Sequence, residues 1–279
     1  MENKKIKIAY CVSGLAGGVC NVIANYMKYM PDDYAVDIIT QNITSEKYRE
    51  SYEKLGFNIV LVPSKSESIL GNICALYKLM QSQKYDIVHA HMTLTNFFPL
   101  FVAGLCGIKI RVSHSHMAGK ITIKSKLLSF LSCKVATDYF ACGENAGKYL
   151  YGCREFQIIN NAIELDKYSP NAETRKIQRN KLGINEETTV LGHVGRFTYQ
   201  KNHERIIDIF GKFNKINPDS VLLLVGGGEK YQEITRIVSE KKLKDKVIFT
   251  GIIDDVYNVI QVMDLFLLPS FYEDYVWRL

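Results

Sequence analysis

No stretch of this chain reaches the roughly 18 uninterrupted apolar residues that a membrane-spanning helix needs. The longest apolar run, LTNFFPLFVAGLCGI, is too short and contains Pro99, so it reads as a core helix. A secretory signal is also missing: MENKKIKIAYCVSG passes from lysines straight into an alternating segment that reads as a first strand. There is no low-complexity tract and no internal repeat. No CxxC pair occurs. The seven cysteines, Cys11, Cys20, Cys74, Cys106, Cys133, Cys142 and Cys153, are scattered, which predicts reduced, mostly buried thiols and a cytoplasmic protein. A strong charge of either sign is lacking. The net charge of +6 fits phosphate-bearing substrates or an anionic membrane surface without singling out either, and no nucleic-acid partner is expected. Finally, Gly14, Gly17 and Gly18 do not complete G-x-G-x-x-G, which argues against a nicotinamide cofactor.

What the sequence does contain is a regular alternation. Short β-rich runs such as IKIAYCVS, AVDIIT, DIVHAH, IRVSHS, TVLGHVG and SVLLLVGGG are separated by amphipathic helical runs such as NICALYKLMQSQK and NHERIIDIFGKFNKI. That order predicts an α/β protein with parallel sheets covered on both faces. A polar stretch with Pro170 and Gly183 breaks the pattern. We therefore expect a Rossmann-like domain over residues 1–165, a connection over 166–188 and a second Rossmann-like domain over 189–279. Ligands of such sheets sit beyond the carboxyl ends of the strands, so a site in a cleft between the two domains is expected.

The stretch GHVGRFTYQKNHERII is the most informative. A strand ends at Gly195, Arg196 and Lys201 sit in the following loop, and Asn202 stands where the N-cap of the next helix belongs. Two cations beside a helix N-terminus make an anion site, and a solvated basic loop is the plain alternative. The Gly17–Gly18 pair opens a helix after the first strand, where backbone can approach a diphosphate or an acceptor. Two His-x-His pairs, His89 with His91 and His114 with His116, lie at strand ends, and i and i+2 on a strand share a face. Four imidazoles suggest zinc, but no carboxylate or cysteine accompanies them at ligand spacing, so no metal is expected. KITIKSKLLSFLSCKVAT sets Lys120, Lys124, Lys126 and Lys134 among apolar residues, as in a helix lying on an anionic membrane or a core helix with a solvated basic face.

GRFTYQKN resembles the G-R-x-x-x-Q-K-N signature of GT-B-fold retaining glycosyltransferases of family four. INNAIELDKYSP resembles that family's N-G-I-D-x-x-x-F segment, with Ala162 where glycine is usual. LLLVGGGE resembles its L-x-x-x-G-x-G strand end. VIFTGIIDDVYNVIQVMDLFLLPSFYED resembles its long F-x-G…D-V…D…P-S-x-x-E segment, and GLAGGVCNVIANYM its G-G-x-E loop, with Cys20 where Glu is common. The resemblance spans nearly the whole chain and looks most like the enzymes of capsular or extracellular polysaccharide synthesis. It implies two Rossmann-like domains facing across a cleft, with the second incomplete. It implies that Gly195, Arg196 and Lys201 hold the donor diphosphate, that Glu273 contacts the donor sugar, and that His114 or His116 does so from the first domain. Gly17 and Gly18 would form the acceptor-side loop. The partners implied are a nucleotide sugar, UDP-linked, and a glycan or lipid-linked acceptor at the inner face of the membrane, with no cofactor and no metal. Asp274 stands where glycine usually follows the Glu, and the second Glu of the pattern would fall past Leu279, so a C-terminally truncated product is expected. Its alternatives are an inactive remnant of such an enzyme and a UDP-sugar epimerase on a similar scaffold.

Overall fold

Residues 8–12 are buried without interruption, and alternate side chains go to opposite faces. Ile8, Tyr10 and Val12 pack with Ile23, Val36 and Phe57, whereas Ala9 and Cys11 pack with Leu76, Met80 and Leu100. A strand that buries both faces in this way belongs in the interior of a parallel sheet between two helical layers. The structure, a computed structural model, describes residues 5–15, 18–43, 46–119, 121–253 and 255–271. It forms two compact units, the first ending at Ile163 and the second beginning at Glu164.

The first unit contains β1 (Ile6–Val12), β2 (Tyr34–Thr40), β3 (Asn58–Leu61), β4 (Ile87–Ala90), β5 (Ile110–Ser115), β6 (Asp138–Ala141) and β7 (Gln157–Ile158), with helices α1 (Gly18–Lys28), α2 (Glu46–Lys54), α3 (Ile69–Gln83), α4 (Phe97–Leu105), α5 (Ile123–Val135) and α6 (Glu144–Tyr151). Its seven strands are all parallel, in the order β3-β2-β1-β4-β5-β6-β7. The direction of winding reverses between β1 and β4.

The second unit begins with α7 (Leu165–Tyr168) and α8 (Ala172–Leu182). The sheet follows as β8 (Thr189–Val194), β9 (Ser220–Val225), β10 (Val247–Gly251) and β11 (Leu265–Phe266), with α9 (His203–Ile216), α10 (Tyr231–Glu240) and α11 (Val256–Ile260). These four strands are also parallel, in the order β10-β9-β8-β11, so the reversal lies between β8 and β11. α9 and α10 cover one face through Ile206, Phe210 and Ile234. Leu182, Ile184, Val259 and Val262 cover the other.

The connection expected over residues 166–188 is therefore mostly helical and packs within the second unit. The reason is one buried arginine. Arg179, only 2% exposed, donates to the carbonyls of Asn185, Glu186, Thr188 and Val262 and to Asp264 Oδ2 at 2.9 Å. Arg175 takes the other oxygen, Oδ1, at 2.5 Å, and the Val190 amide donates to Oδ2 at 2.7 Å. Burial pushes the Asp264 carboxyl up, but the Val190 amide and the two guanidinium groups outweigh it and hold the group below its usual range. Asp264, one of the family-like positions, thus ties α8 to β8 and β11.

Candidate functional site

In the second unit the chain leaves β8 at Gly195 and leaves β9 through Gly226–Gly228, and these two loops are laced together. The Gly195 amide donates to Val225 O at 3.0 Å, Phe197 N to Gly227 O at 2.9 Å and Lys230 N to Phe197 O at 3.0 Å. Such closeness requires glycine. Gly226 has φ +132°, and a Cβ there would lie 2.2 Å from Gly195 O; Gly228 has φ +155°, and its Cβ would lie 2.6 Å from Phe197 O. Gly195 itself has no room for a side chain, since a Cβ would meet His193 Nε2 at 2.6 Å.

The loop carries Arg196 and Lys201 at the point where the strand order reverses, the usual ligand position of an open α/β sheet. The Arg196 side chain is 76% exposed, and its contact in this loop is a 3.9 Å approach to the equally open Glu229. An exposed pair of that length is weak and gives way to a better anion. Lys201 is half-buried. The 14-residue α9 begins two residues on, directing its first amides and positive dipole end to the same region.

Asn202 does not cap α9. It adopts a left-handed conformation, φ 52°, and its side chain makes no capping bond. Instead its Nδ2 donates to Pro269 O at 3.1 Å. The Phe271 amide donates to Gln200 O at 2.9 Å, and the Phe271 ring stacks on Tyr199 at 4.7 Å. Three contacts thus hold the segment after β11 against the basic loop. Thr198, Tyr199, Asn202, Lys230 and Phe271 line a shallow recess there with the buried His203. Burial, with His193 and Lys201 nearby, lowers the His203 pKa to about 3. Glu273, expected at the donor sugar, lies outside the described residues.

In the first unit the two His-x-His pairs meet. β4 and β5 are hydrogen-bonded neighbours, and their register sets His89 and His91 beside His114 and His116. His89 Nε2 is 3.2 Å from His114 Nδ1, and His91 Nδ1 is 2.7 Å from His116 Nε2. Tyr10 of β1 lies 5.3 Å, ring to ring, from both His89 and His91. One nitrogen from each of His89, His91 and His114 falls within 4.8 Å of the others. All four imidazoles are held neutral, chiefly by burial: His89 titrates at about 3, His116 at about 4, and His91 and His114 are pushed down further. His114 lies within β5 and is fully buried, while His116, beyond the strand, is partly exposed.

Two residues that sequence reasoning passed over brace this cluster. Asn96 accepts from the Met92 amide at 2.6 Å and donates to Ser113 Oγ at 2.9 Å and His114 O at 3.2 Å, bridging the ends of β4 and β5. Thr93 is buried with φ 49°, a conformation in which a β-branched residue is strained. Polar residues in a 3-10 turn give no signal of either role. Gly18 opens α1, where a side chain would meet nothing within 4 Å; Gly17 lies outside the described residues. Cys20, at the position where the family pattern has Glu, is buried, and its thiol approaches Gly14 O at 3.4 Å. On α5, Lys124, Lys126 and Lys134 are exposed, and so are Ile123, Leu127 and Phe130. Among the described residues no helix is long and apolar enough to cross a membrane.

Comparison with known proteins gives a consistent picture. The family model "Glycosyl transferase 4-like" matches residues 7–127, and "Glycosyl transferases group 1" matches residues 174–275. EpsF of Bacillus subtilis, named as a glycosyltransferase, is 27% identical over 98% of this chain and 75% of its own length. UDP-Gal:alpha-D-GlcNAc-diphosphoundecaprenol alpha-1,3-galactosyltransferase of Escherichia coli is 25% identical over 97% of this chain and 75% of its own. Among solved structures, Anabaena Alr3699/HepE in complex with UDP and glucose superposes with a TM-score of 0.83 at 15% identity, over 96% of this chain and 75% of that one. The likeness shows a shared GT-B fold.

Proposed function

Because this chain belongs to the group 1 and 4-like glycosyltransferases of GT-B fold, we propose that it transfers a sugar from a UDP-sugar to a lipid-linked glycan, with retention at the anomeric carbon. The observation that carries the reading is the basic loop at the reversal of the second sheet, where exposed Arg196 and half-buried Lys201 adjoin the α9 N-terminus. The named relatives support the donor and acceptor classes. One is a UDP-galactose enzyme acting on a diphosphoundecaprenol-linked sugar, and the Anabaena protein holds UDP and glucose.

The chemistry follows from charge. Transfer breaks the bond between the sugar C1 and the β-phosphate oxygen and leaves negative charge on UDP. Arg196 and Lys201 supply positive charge at that position, and cations held against the diphosphate stabilise the anion that develops there. They do there what a divalent ion does elsewhere, so we assign no metal to the diphosphate. Gly195 lets the backbone approach the phosphates, and Gly17 and Gly18 are assigned to the acceptor side. Glu273 and His114 or His116 are assigned to the donor sugar, and the departing phosphate takes the acceptor's proton. The row of exposed lysines and apolar residues on α5 suits peripheral contact with an anionic membrane, where such an acceptor resides.

Titration calorimetry of the chain with UDP tests the reading. Saturable binding that is lost in Lys201→Ala, with folding unchanged, is the expected result. A folded chain that takes up no UDP, or one whose affinity ignores Lys201, overturns it.

A further inference from the structure

We propose that the histidines at the ends of β4 and β5 bind one divalent transition-metal ion of the zinc and cobalt kind, with His89, His91 and His114 as ligands and His116 orienting His91. The arrangement has the marks of a coordination shell. A tetrahedral zinc ion about 2 Å from each nitrogen holds those nitrogens roughly 3.3 Å apart. His89 Nε2 and His114 Nδ1 stand 3.2 Å apart, and one nitrogen from each of the three rings lies within 4.8 Å of the others. Binding requires the His91 ring to move in to that spacing.

The second shell is present as well. His91 Nδ1 is 2.7 Å from His116 Nε2. If His91 donates there, its Nε2 keeps a lone pair, and this Nε2 is buried without a hydrogen-bond partner among the described residues. A ligating imidazole that donates its other N–H to a fixed acceptor is the common pattern at metal sites. Plain N–H···N pairing leaves His91 Nε2 buried without a partner, an unusual loss inside a protein, and an ion would take up that lone pair.

Chemistry narrows the ion. The set is imidazole alone, which suits zinc, cobalt, nickel or copper and is too poor in oxygen for magnesium or calcium. The backbone is braced for it. β4 and β5 fix the spacing, Asn96 pins His114 O and Ser113, and strained Thr93 turns the chain two residues after His91. Three protein ligands leave a fourth position open. Binding is measured without donor or acceptor, so its outcome is separate from that of the transferase reading; with His114 on the ion, the donor-sugar contact assigned above to His114 or His116 falls to His116.

Cobalt(II) titration of the 279-residue chain, followed by its visible spectrum, is the test. We expect one ion per chain, tetrahedral bands, and none of the sulfur charge-transfer absorption that binding at exposed Cys74 or Cys153 would give. Zinc should displace the cobalt and raise the melting temperature. His91→Gln should bind about 100-fold or more weakly and His116→Gln about 10-fold to 100-fold more weakly, the second as a positioning residue. A sulfur band, or equal affinity in His91→Gln, overturns the proposal. Should the variants fail to fold, zinc-soaked crystals of the unaltered chain decide it. An anomalous peak among the imidazoles supports the site, and its absence at saturating zinc refutes it.

Discussion

Toward the carboxyl ends of β1 and β4 the first sheet carries buried rings: Tyr10, His89, His91 and, from β5, His114. Beyond β8 and β11 the second sheet ends in glycines, with Arg196 in the open and Lys201 half-buried. Both places are reversals of strand order, and both are where an open α/β sheet offers a ligand its site. What differs is the filling. Imidazoles from adjacent strands close the first crevice and stay uncharged. Gly195, Gly226 and Gly228 keep side chains out of the second, and the cations Arg196 and Lys201 stand beside it. A nucleoside diphosphate needs the second kind of end. The first kind suits neutral groups or an ion that consumes lone pairs.

Acid should separate the two units, with the largest expected effect. An imidazole that titrates near 6.5 when unfolded and at about 3 or 4 when folded favours the native state fully above pH 6.5. Below that the unfolded chain binds more protons, and stability falls as pH drops toward 4, by about 1.4 kcal/mol per pH unit for each such group. Four imidazoles of the first unit share this behaviour, against His203 in the second. Hydrogen exchange corrected for intrinsic rate should show the first unit opening before the second between pH 6.5 and 4. Simultaneous opening, or a second unit that goes first, would remove the contrast.

Two substitutions sharpen it from the other side. Arg196→Ala should lower transfer turnover about 100-fold to 1,000-fold, the scale of losing one preorganised charge at a developing anion. Its melting temperature should barely move, because the side chain is open and its pair with Glu229 is long. Equal losses in turnover and stability would make Arg196 structural. Gly226→Ala should cost about 2–3 kcal/mol from left-handed strain alone. The methyl would also press on Gly195 O, so UDP affinity should fall together with stability. The same change at Gly18, where a side chain meets nothing, should leave stability nearly untouched.

How much of this could be read from the chain depended on how local its cause is. The strands were legible because SVLLLV or IKIAYCV is apolar on both faces. Arg196 and Lys201 were legible because their spacing lies within one loop. That each His-x-His pair shares a face was legible too, but not that the two pairs meet, which β4–β5 pairing alone decides. Arg179 reads as a solvent-facing charge in a polar linker, and it is buried because Asp264, far along the chain, receives it. Asn202 reads as an N-cap from its type and place, and a remote carbonyl draws it away.

That last departure sets the finest test. If Asn202 is chosen for its left-handed backbone and its bond to Pro269 O, Asn202→Gly keeps the first and loses the second. It should cost about 1 kcal/mol, the usual net worth of one hydrogen bond. Asn202→Ala loses both and should cost roughly 1 kcal/mol more, because a Cβ disfavours that conformation. A conventional cap predicts a different pattern: Asp or Ser at this position would restore stability, since either can accept from the first amides of α9. Here neither should: a carboxylate has no donor for the Pro269 carbonyl, and Ser lacks the tolerance of Asn for the left-handed backbone. Chemical denaturation of the four variants separates the cases, and the acid sensitivity of the first unit should be the same in all of them.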